Sequence, residues 1–322
     1  MTGARDRGDA GRSRIVVAVA LLYILLWSSA FIATKVGVTH SPPLTLLCVR
    51  FLCAAAILAV LARARGLPAP QGRSAWGRLA LFGLLNCALY LGLGYESLRH
   101  LSAGMGSILA ATNPLILALV APRLLGERLT PPRVLGLILG FGGVVFVMGA
   151  RLGAGGKADT AMGMALQLAG VVCLVGATVV YKRRPPVEHP LIINAVQLGA
   201  AGLALVLPAL LAEDPLHTRV DAPLAWSFLY LVFVISIGAS LLWFWLLARG
   251  EASVASAYYF LTPIFGLGLA ALLLGEPFGP RDVIGLAAVA VGIALIGRPA
   301  TPTRVTTDEI VPLGVGSDSS AH

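Results

Sequence analysis

Two polar residues, each followed by proline, lie deep within long apolar runs of the sequence. Asn113-Pro114 and Thr262-Pro263 are 149 residues apart, and each proline stands about eleven residues into its run. At about 1.5 Å of rise per residue, this depth is about 16 Å, near the middle of a membrane. Because proline has no amide hydrogen, the carbonyl one turn earlier loses its helical donor and becomes available to solute or water. The residues predict a polar midplane site, with a kink that serves only packing as the alternative.

Arg50 is the one basic residue placed well inside an apolar run. It lies about 9 Å from the outer end of that run, at 1.5 Å per residue. A charge within the membrane is costly and marks a functional candidate, here a contact to a solute carboxylate or a gate contact. The alternative is that the long side chain snorkels and lifts its guanidinium group to the outer head groups.

Four further apolar runs carry polar side chains at helical spacing, so that each set shares one helix face. The sets include Asn86 with Tyr90, Gln167 with Thr178, Asn194 with Gln197, and Ser236 with Trp243. In a lipid-immersed bundle such stripes face either a solute cavity or neighbouring helices. We expect these residues to contact the solute: Trp27, Arg50, Asn86, Tyr90, Asn113, Pro114, Gln167, Asn194, Trp243, Tyr258, Tyr259, Thr262 and Pro263.

Other chemistries find no support in the pattern of reactive residues. The four cysteines lie inside apolar runs without CxxC spacing, and the five histidines lie in loops or the tail. We therefore expect no disulfide framework, no metal site and no cofactor. The glycine-rich segment 151–158 lacks the residues of a phosphate-binding loop at the required positions. No Asp or Glu lies deep within an apolar run, which disfavours proton coupling through a midplane carboxylate.

The composition indicates a membrane protein. Of the 322 residues, 57% are hydrophobic and only 12% are charged, and this charge fraction is about half that of an ordinary soluble domain. Runs of about twenty apolar residues cross a hydrocarbon core roughly 30 Å thick. The predicted spans cover 15–34, 44–62, 78–97, 103–125, 133–149, 161–180, 191–211, 225–247, 252–274 and 283–297. We predict an all-α integral membrane fold with ten transmembrane helices.

The basic residues sort to one side of these spans. Loops and tails on the N-terminal side carry 17 Lys and Arg residues, whereas the opposite loops carry 6. Because basic loops stay inside the cell, we expect both termini in the cytoplasm. Residues 1–14 would form a basic tail and residues 299–322 a disordered tail. Basic residues spread over loops, rather than over one face, argue against a nucleic-acid partner.

The two halves of the chain repeat each other at an offset of 149 residues. Pro114 aligns with Pro263, Gly126-Glu127 with Gly275-Glu276, Pro131 with Pro280, Gly136 with Gly285, and Gly143 with Gly292. Each repeat, 15–150 and 159–298, holds five predicted spans, and this odd number forces the second copy to enter the membrane from the opposite side. We therefore predict two inverted five-helix repeats with a site at their interface. We expect Glu127 and Glu276 to cap the helices that begin just after them, with an ion pair at a gate as the alternative.

These motifs resemble the EamA family of the drug/metabolite transporter superfamily. The resemblance rests on Trp27-Ser28-Ser29-Ala30-Phe31, Arg50-Phe51, Asn113-Pro114, Gly126-Glu127-Arg128, Thr262-Pro263 and Gly275-Glu276. It covers nearly the whole chain from Ile15 to Gly297. Members of this family are inner-membrane permeases, often exporters of amino acids or other small metabolites. The resemblance implies a location in the bacterial inner membrane.

The sequence therefore predicts a secondary transporter and not an enzyme. We expect it to export a small amphipathic metabolite, such as an amino acid, by alternating access. An integral-membrane enzyme acting on lipid-linked substrates, or a passive pore, is the alternative. The expected partners are the small-molecule solute and membrane lipids, and the chain would act as a monomer or a homodimer.

Overall fold

The computed structural model describes residues 3–126, 130–153, 159–248 and 261–296. Within these ranges all regular structure is helical, and no strand occurs. In the described part of the chain, eight helices are long and apolar enough to cross a membrane. The all-helical membrane fold is therefore confirmed, whereas the count of ten spans remains a prediction.

The helices are numbered α1 to α10 in chain order. They are α1 (Gly3–His40), α2 (Pro43–Ala64), α3 (Gly72–Ser97), α4 (Ala103–Leu124), α5 (Pro131–Gly153), α6 (Ala161–Arg183), α7 (Pro190–Ala212), α8 (222–248), α9 (Thr262–Leu274) and α10 (Pro280–Ile296). The bounds of α2, α4, α6 and α7 agree with the predicted spans to within three residues. Helix α1 begins much earlier than its span, so the helix already includes most of the basic segment 1–14.

Local sequence signals set several helix ends. The side chains of Ser102, Thr160 and Asp221 each accept a hydrogen bond from a backbone amide and cap α4, α6 and α8. Helix α9 ends at Gly275, whose φ of 64° lies in the left-handed region that favours glycine. Such caps matter in a membrane because hydrocarbon cannot satisfy the free amide and carbonyl groups of a helix end.

Each helix of the first half packs against a helix of the second half. The main contacts pair α5 with α10, α2 with α7, α3 with α6, α4 with α9, and α1 with both α8 and α9. Apolar side chains such as Phe51 and Met105 are fully buried between them. Outward-facing side chains such as Ile138 and Leu207 are exposed, as expected for a surface that contacts lipid. The two halves are therefore interleaved and do not form separate units.

Glycines bring α5 and α10 into backbone contact. A Cβ atom added at Gly136 would lie 2.6 Å from the carbonyl oxygen of Gly292, and one added at Gly143 would lie 2.7 Å from that of Gly285. The order of the contacts is reversed, so the two helices cross antiparallel. The sequence repeat aligns Gly136 with Gly285 and Gly143 with Gly292. The crossing therefore maps onto itself when the two halves are exchanged.

Both α3 and α8 contain a π-helical segment. The segments cover Leu84–Leu89 and Tyr230–Ala239, and the offset of 149 residues places the first within the second. A π turn widens a helix and changes the direction of the side chains that follow, and such turns are frequent at functional sites. The recurrence of this rare feature at equivalent positions agrees with the sequence repeat.

Candidate functional site

A small cavity of about 40 Å³ lies between α1, α2, α3, α6 and α8. It is lined by Trp27, Ala30, Phe31, Thr34, Arg50, Tyr90, Leu91, Gly94, Tyr95, Leu98, Gln167 and Ile235. Four predicted site residues, Trp27, Arg50, Tyr90 and Gln167, therefore meet at one place. The cavity is far smaller than the roughly 300 Å³ of a typical ligand site, so a bound metabolite would require the helices to separate.

Arg50 points into the bundle and does not snorkel to the head groups. Its side chain is only 3% exposed. Its Nε atom donates to the hydroxyl of Ser236 at 2.9 Å, and its Nη1 atom donates to the hydroxyl of Tyr95. The guanidinium carbon also lies 5.5 Å from the ring centroid of Phe51. Among the described residues no carboxylate pairs with this charge.

Amide side chains continue the hydrogen-bond network beyond Ser236. The Nδ2 atom of Asn194 donates to the carbonyl of Ser236 at 2.8 Å, and the Nε2 atom of Gln197 donates to Asn194 Oδ1 at 2.8 Å. Asn86 Nδ2 reaches Gln197 Oε1 at 3.3 Å. The predicted residues Asn86 and Asn194 thus lie next to the cavity, in a network that joins α3, α7 and α8, and do not line it.

Two further cavity residues, Gln167 and Trp27, are held by contacts to their neighbours. Ser97 donates from its hydroxyl to Gln167 Oε1 at 2.8 Å, which joins α3 to α6. The predicted residue Trp243 does not line the cavity, because its ring stacks on that of Tyr23 at a centroid distance of 5.3 Å. Tyr23 in turn stacks on the cavity residue Trp27 at 6.2 Å. Trp243 therefore contacts the cavity residue Trp27 only indirectly, through the ring of Tyr23.

A helical segment begins at each of the two proline motifs. Helix α4 is interrupted just before Asn113-Pro114, and α9 begins at Thr262-Pro263. The Oδ1 atom of Asn113 and the Oγ1 atom of Thr262 are buried and have no hydrogen-bond partner among the described residues. Ser28 donates to the carbonyl of Thr262 at 3.0 Å, which places the start of α9 against α1. None of the four motif residues lines the cavity, and their contact with solute remains a prediction.

The loop between α3 and α4 covers one end of the cavity. Lys35 Nζ, one turn beyond the cavity residue Phe31, donates to the carbonyls of Leu98 and Leu101 at 2.6 Å each. Leu98 also lines the cavity. The ammonium group of Lys35, on α1, therefore holds Leu98, a part of the cavity wall, in place.

Two carboxylates from other connecting segments hold the end of the same loop, where α4 begins. Asp159 accepts from the amide of Ser102 at 2.7 Å. Glu276, just after α9, accepts from the amides of Ala103 and Gly104 at 2.7 and 2.9 Å, and so caps the first turn of α4. The three charged residues that hold this loop are called the clasp below: Lys35, Asp159 and Glu276.

The interpretation of Glu276 as a cap for the helix that follows it is wrong. The amide of Gly279, just before α10, bonds instead to Asp282 Oδ2 at 2.9 Å. The physical reason is the interleaving of the two halves, which brings the start of α4 closer to Glu276 than the start of the next helix. Three residues discussed above lie outside the described residues: Glu127, Tyr258 and Tyr259.

Sequence reasoning missed several cavity residues. Phe31 and Thr34 follow Trp27 by four and seven residues and share its helix face, so spacing alone could have found them. Tyr95 follows Tyr90 by five residues, which puts the two on different faces of a regular helix and gives no signal. Among the described residues no group of three His, Cys, Asp or Glu side chains could hold a metal ion.

A comparison with protein families identifies the chain. The model of the EamA-like transporter family matches residues 14–149 and again 161–298. The chain belongs to the EamA family. The resemblance seen in the motifs is thereby confirmed, and the double match fits the internal repeat.

Relatives of this EamA-family chain occur in bacteria, plants and archaea. It is 29% identical over 286 residues to the "Uncharacterized transporter YvbV" of Bacillus subtilis, covering 88% of this chain and 92% of that protein. It is 28% identical over 288 residues to the "Probable amino-acid metabolite efflux pump" of Salmonella typhimurium, covering 85% and 92%. It is 26% identical over 298 residues to the "Uncharacterized inner membrane transporter YedA" of Escherichia coli K12, covering 91% and 94%.

A solved structure shares the fold. A crystal structure described only as that of a protein superposes with a TM-score of 0.64 and 22% sequence identity. The match covers 88% of this chain and 96% of the other. At this identity the likeness shows the helical fold alone.

Proposed function

We propose that this EamA-family protein is a secondary transporter that exports a small amphipathic metabolite with a carboxylate, such as an amino acid. The observation that carries the proposal is the buried charge of Arg50, which lies in a cavity among five helices and bonds to hydroxyl groups. A buried charge without a counter-charge is unstable, and an apolar side chain would serve packing better. A solute carboxylate would supply the counter-charge.

The geometry of the guanidinium group suits this role. Ser236 and Tyr95 take hydrogen bonds from Nε and Nη1, whereas Nη2 bonds to none of the described residues. An arginine fork binds carboxylates through paired, charge-assisted hydrogen bonds. The rings of Trp27 and Tyr90 line the same cavity and would contact the apolar part of the solute. The site thus fits a molecule with one anionic end and an apolar body.

The inverted-repeat architecture provides the movement. We propose ten spans in two inverted five-helix repeats, 15–150 and 159–298. The antiparallel glycine crossing of α5 and α10 and the π segments at equivalent positions of α3 and α8 support this arrangement. Transporters built from such repeats alternate between two states by rocking one set of helices against another around a fixed site.

The clasp would act as one gate of this cycle. In the topology predicted by the basic residues, the loop between α3 and α4 faces the outside. Lys35 contacts this loop from α1, and Asp159 and Glu276 contact its end at the start of α4 from just before α6 and just after α9. Leu98 of the loop lines the cavity. Release of solute to the outside would therefore require these hydrogen bonds to break. The structure would then represent a state closed on the outer side.

We further propose that the protein lies in the bacterial inner membrane with both termini in the cytoplasm. The N-terminal side of the predicted spans carries 17 basic residues and the opposite side 6, which supports this orientation. A relative named as an inner membrane transporter supports the location. Export as the direction of transport agrees with the relative named as an efflux pump.

Transport by purified protein in liposomes tests the proposed function. Liposomes preloaded with a candidate solute should accumulate the labelled solute by counterflow, and unlabelled competitor should saturate the flux. A panel of amino acids and organic acids identifies the solute. A flux that rises linearly with concentration would indicate a passive pore. Chemical conversion of a lipid-linked substrate, without flux of any solute, would indicate an enzyme.

A further inference from the structure

A second and larger cavity lies in a groove between α3 and α6. It is separate from the small cavity around Arg50, which is called the solute cavity below. The volume of the second cavity is about 310 Å³. Leu81, Phe82 and Val180 form part of an apolar floor, and Leu81 is exposed to the lipid side. The rings of Phe82 and Tyr181 lie 5.5 Å apart across the groove. This floor has the chemistry of a surface for an acyl chain.

The rim of the groove is basic. Arg78 of α3 and Arg183 and Arg184 at the end of α6 line one end. Arg183 already donates to the carbonyl of Leu124, at 3.1 Å from Nε and 2.7 Å from Nη2. Arg78 and Arg184 form no ion pair with any described residue. Two guanidinium groups therefore remain for an anionic ligand.

Glu188 adds an acceptor to the same rim. It lines the groove beside the arginines. Its Oε2 atom is buried and has no hydrogen-bond partner within the described part of the chain. A buried carboxylate oxygen without a donor is unfavourable. A ligand that carries both an anion and a hydroxyl donor would satisfy the arginines and Glu188 together.

We propose that this groove binds an anionic phospholipid with a hydroxyl-bearing head group, of the phosphatidylglycerol type. The acyl chain would lie along the apolar floor, the phosphate would contact Arg78 and Arg184, and a head-group hydroxyl would donate to Glu188. In the orientation proposed above, the site faces the cytoplasmic leaflet, where basic pockets between helices bind anionic lipids. The site is separate from the solute cavity, so it stands without the transport proposal.

Native mass spectrometry of the full-length protein tests the assignment with defined lipids. Phosphatidylglycerol, phosphatidylethanolamine and phosphatidylcholine are added at equal concentration, and the bound fraction of each is measured. We expect phosphatidylglycerol to bind at least several-fold more tightly than the other two, because only it combines a net negative charge with hydroxyl donors. Equal binding of the three lipids would overturn the proposal.

Variants then locate the lipid. Removing two charge-assisted contacts in the Arg78→Gln/Arg184→Gln protein should weaken phosphatidylglycerol binding about tenfold or more. The matched control, Arg63→Gln/Arg65→Gln, removes two exposed arginines from the end of α2, outside the groove, and should bind as the parent does. An equal loss of phosphatidylglycerol binding in both double variants would overturn the assignment to this groove.

Glu188 and a soluble competitor complete the test. Glu188→Ala should lower the preference for phosphatidylglycerol over phosphatidylcholine, because the acceptor for the head-group hydroxyl is lost. An unchanged preference would contradict the proposed orientation of the lipid. Glycerol 3-phosphate, which carries a phosphate and hydroxyl groups but no acyl chains, should displace the lipid only weakly. Displacement at comparable concentrations would assign the site to a soluble phosphate compound and overturn the proposal.

Discussion

The guanidinium group of Arg50 in α2 donates a 2.9 Å hydrogen bond to the hydroxyl of Ser236, which lies 186 residues later in α8. The carbonyl of the same serine accepts from Asn194 of α7. A charge from the first half of the chain is thus bonded to α8 of the second half, at a serine that α7 also contacts. Movement of one half against the other would change the surroundings of this charge, which is the property required of a solute site in alternating access.

The glycine crossing of α5 and α10 should tolerate no side chain. A Cβ at Gly143 would lie 2.7 Å from the carbonyl oxygen of Gly285, whereas a Cβ at its neighbour Gly142 would meet nothing within 4 Å. Gly143→Ala should therefore lower the free energy of unfolding by about 1–3 kcal/mol. Gly142→Ala, the matched control, should be neutral or stabilising by up to about 1 kcal/mol. Thermal unfolding in detergent measures both, and equal effects would contradict the close crossing.

Loss of Glu276 should open the clasp. Glu276→Ala removes the acceptor for the amides of Ala103 and Gly104, and the loss of such a cap costs about 0.5–2 kcal/mol. We expect a cysteine at Thr34, in the cavity wall, to react faster with a membrane-impermeant thiol reagent added outside. The assay uses a background in which the four native cysteines are replaced.

Glu96 provides the control for the clasp experiment. It lies near the same loop, but its carboxylate pairs only with the partly exposed side chains of Arg99 and His100. Glu96→Ala should leave the labelling rate at Thr34 unchanged. An equal increase in both variants would indicate general loosening of the fold, and no increase in Glu276→Ala would refute the gate.

Much of the fold could be predicted from the sequence because span length and apolar content are local properties. The bounds of α2, α6 and α7 follow from apolar runs that end at proline or charged residues. The π segments could not be predicted, because the residues of Leu84–Leu89 are equally compatible with an α-helix. The contact of Glu276 with the start of α4 could not be predicted either, because it depends on how the two halves of the chain interleave.

The candidate site was predicted in part for similar reasons. Arg50 could be predicted as a functional residue from its depth in an apolar run alone, because a charge within the membrane is costly. Its partners Ser236 and Tyr95 depend on the packing of α2 against α3 and α8, which no spacing within one helix reveals. The proline motifs were found from chemistry and repetition, yet they lie outside the small cavity.

The break of α4 at Asn113-Pro114 and the start of α9 at Thr262-Pro263 should become accessible to solute during transport. The buried Asn113 Oδ1 and Thr262 Oγ1 atoms lack partners among the described residues, so a polar ligand or water would stabilise them. Cysteines at Asn113 and at Thr262 should react with a small polar thiol reagent, and transported solute should slow both reactions. Asn113→Leu should reduce flux while the amount of protein in the membrane stays nearly constant.

Thr112 is the control position for these cysteines. It is fully buried, and its hydroxyl donates to the carbonyl of Leu109 at 2.6 Å. A cysteine there should stay unreactive in every loading state. The midplane site would be refuted if the cysteines at Asn113 and Thr262 behaved like this control and Asn113→Leu transported normally.

The proposed topology rests on the distribution of basic residues, 17 on one side of the predicted spans against 6 on the other. A reporter that is active only in the cytoplasm should be active when it is fused after Arg304. A cysteine at Lys157 should react with an impermeant reagent added to intact cells. A C-terminus on the outside would contradict both the orientation and the inverted repeats.

Substitution of Arg50 tests the solute site itself. Loss of charge-assisted hydrogen bonds to a carboxylate costs about 1.5–3 kcal/mol, or roughly ten- to a hundredfold in apparent affinity. Arg50→Lys should restore transport only in part, because lysine lacks the planar fork. Arg99→Ala, which removes an exposed arginine of the α3–α4 loop, should leave the apparent affinity unchanged.

The most direct measurement of the central claim is the apparent affinity for the counterflow solute in Arg50→Ala, with protein abundance and thermal stability measured in the same preparation. We predict that the apparent affinity for the solute falls at least tenfold while the variant remains folded in the membrane. The apparent affinity for a neutral analogue of the solute should fall much less. Unchanged flux and unchanged apparent affinity in a folded Arg50→Ala protein would contradict the assignment of this cavity as the solute site.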